Sequence, residues 1–437
     1  MLPPSFISSL KGLPGFNEQA FVETHELKES ITSIRINTNK SFLEQPSSFF
    51  KEASPIAWCE GGYYLKERPL FVLDPLWHAG AYYVQEASSM FLHTIIRQLA
   101  DPEKYYKVLD LCAAPGGKTT LLANYFKNGL VVANETIKSR NAILEENCIR
   151  WGSDHIVVTQ NDPSHFKALP NFFDFIVADA PCSGRGMFRK DPQAIKEWSE
   201  ENVLHCSQRQ TRIIEESITA LQEGGYYIYS TCSYSSEEDE EVLDWVMKEF
   251  KVESLKLKAE EEWNIDEVET NSGAYGYRFW PYKVKGEGFF IAAFKKKESA
   301  DQLRIKIKTT QLASKQEAMI AANWLKNTEG LSFIKQGQNI AAIPTQLNET
   351  IQYLMQELKV RYAGVELGTI AKNDLLPEHA LAVSTILKDD VFKVELTLAQ
   401  ALDYLRKNEI NIDSPHKGWA LAVYNNFPLG EYSFQIP

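Results

Sequence analysis

The stretch "KVLDLCAAPGGKTTLLANYF" (Lys107–Phe126) decides the fold. An apolar run leads into a turn containing Pro115, Gly116 and Gly117, and a helix-forming run follows. Strand, glycine turn and helix, in that order, open a βαβ unit. Such a turn lets the backbone approach a ligand closely, and the helix N-terminus attracts negative charge. Two readings compete. "GGKTT" resembles the end of a P-loop, G-x-x-x-x-G-K-[ST], which would make the chain an NTPase. That match fails because the first glycine falls at Cys112. The other reading is a nucleoside cofactor, and the neighbouring segments favour it.

Downstream the alternation repeats. "GLVVANE", "HIVVTQND", "FDFIVADAPC" and "GYYIYSTCS" read as strands. "SRNAILEENCIRWG", stopped by Gly152, and "SEENVLHCSQRQTRIIEESITAL" read as helices. "SSEEDEEVLDWVMKEF" reads as a helix with a serine N-cap and a solvated acidic first turn. Near-continuous apolar strands separated by helices predict an α/β fold with a parallel, doubly wound sheet. "GEGFFIAAFKKK" (Gly286–Lys297) is its natural last strand. Upstream, "ITSIRIN" (Ile31–Asn37) reads as a strand and "YYVQEASSMFLHTIIRQL" as an amphipathic helix. The polar "KKKESADQLR" reads as a linker. The expected units are an N-terminal segment over 1–70, a catalytic domain over 71–297 and a separate α+β region over 298–437.

Ligands of such sheets bind at the carboxyl ends of the strands. Three acids stand there: Glu135, Asp162 and Asp179. A single acid at a strand end is more often a helix N-cap. Three around one loop suit a cofactor with ribose hydroxyls and a positive centre, such as S-adenosylmethionine, and suit a triphosphate poorly. Two of six cysteines, Cys182 and Cys232, also stand at strand ends, in polar loops that the expected strand order places side by side. Cys59, Cys148 and Cys206 read as structural, since a free cysteine is usually buried and inert. A thiolate is a strong nucleophile. Methylation of a pyrimidine at carbon 5 needs one, because that carbon reacts only after addition at carbon 6. Two cysteines in one cleft divide this work into attack and release, in an order the residues alone leave open.

The composition, 44% hydrophobic and 24% charged over 437 residues, is that of a globular protein. No apolar run spans a membrane and no secretory leader is recognisable. Scattered cysteines without a C-x-x-C pair disfavour both disulfides and a zinc site, so no metal is expected, and reduced thiols point to the cytoplasm. The net charge of −12 opposes nucleic acid globally, so an RNA partner must be met by local basic groups.

"DLCAAPGGKTT", "DAPCSGRGMFRKDP", "GGYYIYSTCSYSSEEDEEV" and "GEGFF", with "SIRIN" and "GAYYVQEASSM" upstream, closely resemble the Sun/NOL-type RNA cytosine-5 methyltransferases. "RYAGVELGTI", "LPEHALA" and "GWALAVYNNFPLG" resemble the branch that methylates bacterial small-subunit ribosomal RNA. The resemblance implies a Rossmann-like methyltransferase sheet with an N-terminal RNA-binding segment and a C-terminal PUA-like region. It implies S-adenosylmethionine as cofactor, held by Cys112, Ala113, Ala114, Pro115, Gly116, Gly117 and Lys118 with Glu135, Asp162 and Asp179. It makes Cys232 the nucleophile and Cys182 the group that aids release, with Asp179 facing the cytosine. The implied partner is 16S rRNA, with tRNA second and a monomer as the acting form. Arg35, Arg185, Arg189, Lys190 and Arg278 are the candidate RNA contacts, beside Phe188, Phe279 and Trp280 as stacking platforms. A non-catalytic RNA-binding protein is the remaining alternative. Where family members often carry His, this chain has Tyr282.

Overall fold

The computed structural model describes residues 2–27, 31–40, 50, 52–190, 195–196, 198–299, 311–413 and 416–434. Its centre is a ten-stranded sheet. The strands are β1 (Lys107–Asp110), β2 (Leu130–Asn134), β3 (Ile156–Thr159), β4 (Phe173–Asp179), β5 (Leu221–Thr231), β6 (Val252–Ser254), β7 (Asp266–Glu269), β8 (Tyr275–Phe279), β9 (Phe289–Lys296) and β10 (Val360–Ala363). The order is β7-β8-β9-β5-β4-β1-β2-β3-β10, with β6 paired to β9. The five strands expected from the apolar runs are the parallel ones. They read as unbroken apolar runs because both sheet faces are covered. Val108, Val131 and Phe175 pack on one side, and Leu109, Val132 and Ile176 on the other. As expected, β9 joins the sheet, antiparallel to β5.

The helices between the strands are α1 (Gly117–Tyr125), α2 (Lys138–Trp151), α3 (Glu200–Ser217) and α4 (Glu240–Glu249). Gly152 ends α2 in the left-handed region, at φ +82°. Two helices differ from expectation. The upstream segment is a 3-10 turn over Ser88–Phe91 and an α-helix only over Leu92–Leu99, because Tyr82–Val84 is a strand paired with Thr32–Ile36. The helix of "SSEEDEEVLDWVMKEF" starts at Glu240, and Glu238 and Asp239 ahead of it are fully buried, not solvated.

The N-terminal unit reaches past residue 70. Its four-stranded sheet runs Ser54–Pro55, Gly62–Leu65, Thr32–Ile36 and Tyr82–Val84. Ahead of it, helices Pro4–Leu10 and Glu18–Glu26 place Phe6, Leu10 and Phe21 against Phe188, Tyr234 and Trp280. Tyr282 anchors this layer: its hydroxyl accepts from the Asn17 N–H and donates to the Gly15 carbonyl. The C-terminal region is not separate either, since β10 pairs with β3 and extends the central sheet. Beyond the sheet it forms a four-stranded sheet (Leu331–Gln336, Asn339–Pro344, Val365–Ala371, Asp374–Pro377) and a three-stranded one (Lys393–Glu395, Gly418–Tyr424, Phe427–Phe434). Asn425 and Asn426, both at positive φ, make the tight hairpin of "VYNNFPLG". Residues 300–304 of the expected linker lie outside the described residues, and its first two lysines belong to β9.

Candidate active site

The carboxyl ends of β1, β2, β3, β4 and β5 surround two adjoining cavities. The first, about 330 Å³, is lined by Cys112, Glu135, Asp162, Asp179, Cys182 and Cys232, with Arg140 and Arg212 on its wall. The second, about 470 Å³, is lined by Asp110, Gly117, Lys118, Met187, Glu287 and Phe289. Cys112, Ala114, Arg140, Asp179 and Cys232 border both. Ala113 and Pro115 face the second cavity. Gly116 lines neither. It caps α1 at φ +114°, a conformation glycine adopts without strain, and its job is the turn.

Each carboxylate is held. Glu135 accepts from the Ile137 N–H at 2.9 Å and faces Arg140 at 3.3 Å. Arg140 also donates to the Ala114 carbonyl, tying the glycine loop to the second strand end. Asp162 accepts from Ser164 N–H and from Arg212 through Oδ1. Burial opposes its ionisation, but the Ser164 hydrogen bonds and the Arg212 guanidinium overcome this and hold it below the usual carboxylate range. Asp179 Oδ2 meets Lys118 Nζ at 2.8 Å, and Oδ1 accepts from Ser230 Oγ at 2.8 Å.

Cys182 and Cys232 meet with sulfurs 2.8 Å apart, both as free thiols. The register explains it: β4 and β5 run parallel with Asp179 opposite Ser230, so the loops that follow start level. Gly186 N–H donates to the Cys232 carbonyl at 2.8 Å and folds the first loop over the second. The Cys182 thiol is pushed well above its ordinary value, first by its contact with Cys232 and then by burial. Cys59 and Cys148 are buried, and Cys206, on α3, is half-buried.

The arginines expected at RNA are instead internal. Arg35 is 2% exposed and donates to Gln85, Gly117 and Thr120. Arg278, at 0%, pairs with Asp239 and Glu240. Arg185 lies buried over the Phe6 and Trp198 rings. Arg189 makes a two-pronged bond to Glu287, and partly exposed Lys190 faces the same carboxylate at 3.7 Å. Phe188, Phe279 and Trp280 are buried against the chain's own rings Phe6, Phe91 and Tyr234. These basic groups are taken up by the chain's own acids, carbonyls, hydroxyls and rings, because a buried charge needs a partner.

Other residues of the site carried no assignment. Asp110 is fully buried, accepts from Thr119 Oγ1 at 2.6 Å and leaves Oδ1 without a partner. Burial raises its pKa to about 7, against the pull of Thr119 and Lys118. Its signal was present, an acid closing a buried strand just before the glycine turn. Arg140, Arg209 and Arg212 carried none, since a helix arginine reads as solvated until its strand-end neighbours are placed.

Three family models match the chain. Residues 97–295 match 16S rRNA methyltransferase RsmB/F, residues 2–87 the N-terminal domain of 16S rRNA methyltransferase RsmF, and residues 391–431 the methyltransferase RsmF PUA domain. Among solved structures, a methyltransferase homologue from Pyrococcus horikoshii is 28% identical, with a TM-score of 0.54 over 68% of this chain and all of that one. NSun6 from Pyrococcus horikoshii with SFG shares the fold at 20% identity and a TM-score of 0.56, over 68% of this chain and 99% of that one. Sheet, glycine loop and strand-end cleft thus define a Rossmann-like RNA methyltransferase. The ribosomal RNA small subunit methyltransferase F of Aliivibrio fischeri is 31% identical over 91% of this chain and 87% of its own length. That of Vibrio campbellii is 30% identical over 94% and 88%. The chain belongs to the 16S rRNA methyltransferase RsmB/F family.

Proposed function

We propose that the protein methylates carbon 5 of a cytosine in RNA, with S-adenosylmethionine as methyl donor and a covalent cysteine adduct on carbon 6. The observation that carries this reading is the pair of thiols 2.8 Å apart on the border of two cavities. The first cavity is the cofactor site. Its donors fit: Glu135 offers a carboxylate to ribose hydroxyls, and Asp162 keeps Oδ2 for a base edge while Oδ1 takes Ser164 and Arg212. Asp179 offers negative charge near a sulfonium. The cofactor supplies an electrophilic methyl group. The second cavity takes the target base, flipped out of any helix. Lys118, paired with Asp179, faces it and is placed to hold the polar edge of a pyrimidine.

Cys232 borders both cavities and is the attacking thiolate. Its sulfur bonds to carbon 6, electron density moves to carbon 5, and that carbon takes the methyl group. Solvent water takes the carbon 5 proton, the freed electron pair re-forms the ring double bond, and the carbon–sulfur bond breaks to release Cys232 as a thiolate. Cys182, whose sulfur lies 2.8 Å from that of Cys232, aids that last step by hydrogen-bonding the departing thiolate. The substrate is 16S rRNA, with tRNA second, and the site of action is the cytoplasm. Cys182→Ala and Cys232→Ala, each mixed with total ribosomal RNA and S-adenosylmethionine and run on a denaturing gel, test the roles. Cys182→Ala is expected to leave a covalent protein–RNA band and Cys232→Ala none. The reverse pattern exchanges the two roles. No band from either, with tRNA also tried, refutes the covalent route and favours a non-catalytic RNA-binding protein.

A further inference from the structure

The acidic run ahead of α4 belongs to the cysteine loops rather than to the helix. Asp239 is the N-cap of α4, yet its side chain caps nothing. Burying a carboxylate is costly unless donors surround it. Glu238 has four: through Oε1 it accepts from Ser183 N–H at 2.8 Å and Gln210 Nε2 at 3.1 Å, and through Oε2 from Ser183 Oγ at 2.5 Å and Ser233 Oγ at 2.6 Å. These fill the lone-pair positions a carboxylate offers. Ser183 follows Cys182 and Ser233 follows Cys232. One side chain therefore grips both cysteine loops at the residue next to each sulfur.

The other sides are gripped too. Gln210 Nε2 also donates to the Pro181 carbonyl, just before Cys182. Thr231 Oγ1, just before Cys232, donates to Asp239 Oδ1 at 2.6 Å and accepts from Ser233 N–H. Both cysteines are thus bracketed on both flanks by Gln210, Glu238 and Asp239, all fully buried.

We propose that Glu238 is a positioning residue that sets the spacing of the Cys182 and Cys232 sulfurs, so that attack and release occur at one carbon. Its catalytic consequence rests on the cytosine-5 reading above, but its geometric consequence does not. The first test is therefore free of RNA. The full chain is treated with diamide, which takes up two hydrogens as two thiols become a disulfide. The Cys182–Cys232 peptide is then quantified by mass spectrometry. Glu238→Gln is expected to slow this linkage about 10-fold while the melting temperature and S-adenosylmethionine affinity hold. With ribosomal RNA, kcat is expected to fall about 100-fold at nearly constant KM, the cost of a misplacement of roughly 1 Å. A general loss of structure would not produce that split. If Glu238→Gln does not fold, Gln210→Met removes the donor to the Pro181 carbonyl and one of the four donors to Glu238, and should shift both readouts in the same direction. A folded variant that links at the wild-type rate overturns the proposal, as does slowed linkage with unchanged kcat. Should the wild-type chain methylate no RNA, the functional reading fails while the linkage rate still decides the positioning role.

Discussion

Replacing Arg278 by Met separates a structural arginine from an RNA-binding one. Its guanidinium is 0% exposed and donates to Glu240 at 2.7 Å and Asp239 at 3.2 Å. Burial disfavours its charge, and the two carboxylates outweigh that and raise its pKa. Removing one partner of a buried ion pair typically costs about 3–5 kcal/mol, because the remaining charge is left without compensation. Two terms pull the figure down. Nε and Nη1 of Arg278 already lack partners, and a buried unsatisfied donor costs about 1–3 kcal/mol. Met would also keep apolar contact with the Trp280 and Phe290 rings that now flank the guanidinium. The expected loss is therefore near the lower bound, about 3 kcal/mol. Urea unfolding followed by tryptophan fluorescence measures it, and a filter assay measures RNA affinity. The expected outcome is a lower midpoint with RNA affinity within about twofold, since no phosphate contact is removed. A variant as stable as the parent but about 10-fold weaker for RNA would refute the reasoning and restore Arg278 to the RNA surface.

Three other outcomes follow from the same geometry. Asp110 has a pKa raised to about 7, so the folded state keeps a proton that the unfolded chain releases near pH 4, and stability should fall as pH rises between those values. Asp110→Asn should flatten that fall, worth up to about 4 kcal/mol across the window, and superimposable pH–stability curves would contradict it. Glu135→Ala should weaken S-adenosylmethionine binding about 10- to 100-fold by calorimetry, the worth of charged hydrogen bonds to hydroxyls, and unchanged affinity would move the cofactor elsewhere. Gly288→Ala would put a Cβ 2.2 Å from Tyr234 Cζ and push that ring off Trp280, with which it stacks at 5.1 Å. Overpacking of this kind costs about 1–3 kcal/mol, read as a lower thermal midpoint, and an unchanged midpoint would show that the loop yields freely.

The parallel core was legible because its strands are buried on both faces and therefore appear as apolar runs that end in polar residues. The edges were not. β10 pairs with β3 about 200 residues away along the chain, and no local pattern in "KVRYAGVE" reveals which sheet it joins. Tyr82–Val84 was hidden for a related reason. Two tyrosines and a valine fit either the last strand of the N-terminal sheet or the first turn of a helix, and only the pairing of Ile34 with Val84 decides.

The site divides along the same line. Cys182 and Cys232 were placed together because parallel register carries equivalent strand ends to one level, a rule that needs no knowledge of side-chain partners. Charged residues obey no such rule. Arg278 and the run "SSEEDEE" were each assigned to solvent, one as an RNA contact and the other as a helix start. Each assignment is sound for a charge considered singly, since lone charges are seldom buried. Together they fail, because the acids that would be too costly to bury are the partners of the arginine that would be too costly to bury. The misreading has one physical source: a buried ion pair looks, from the sequence, like two surface residues. A cluster of acids directly after a candidate nucleophile, with an arginine on a nearby apolar strand, is the pattern that would have exposed it. In this chain that pattern runs from Arg278 through Asp239 to Thr231, the residue before Cys232.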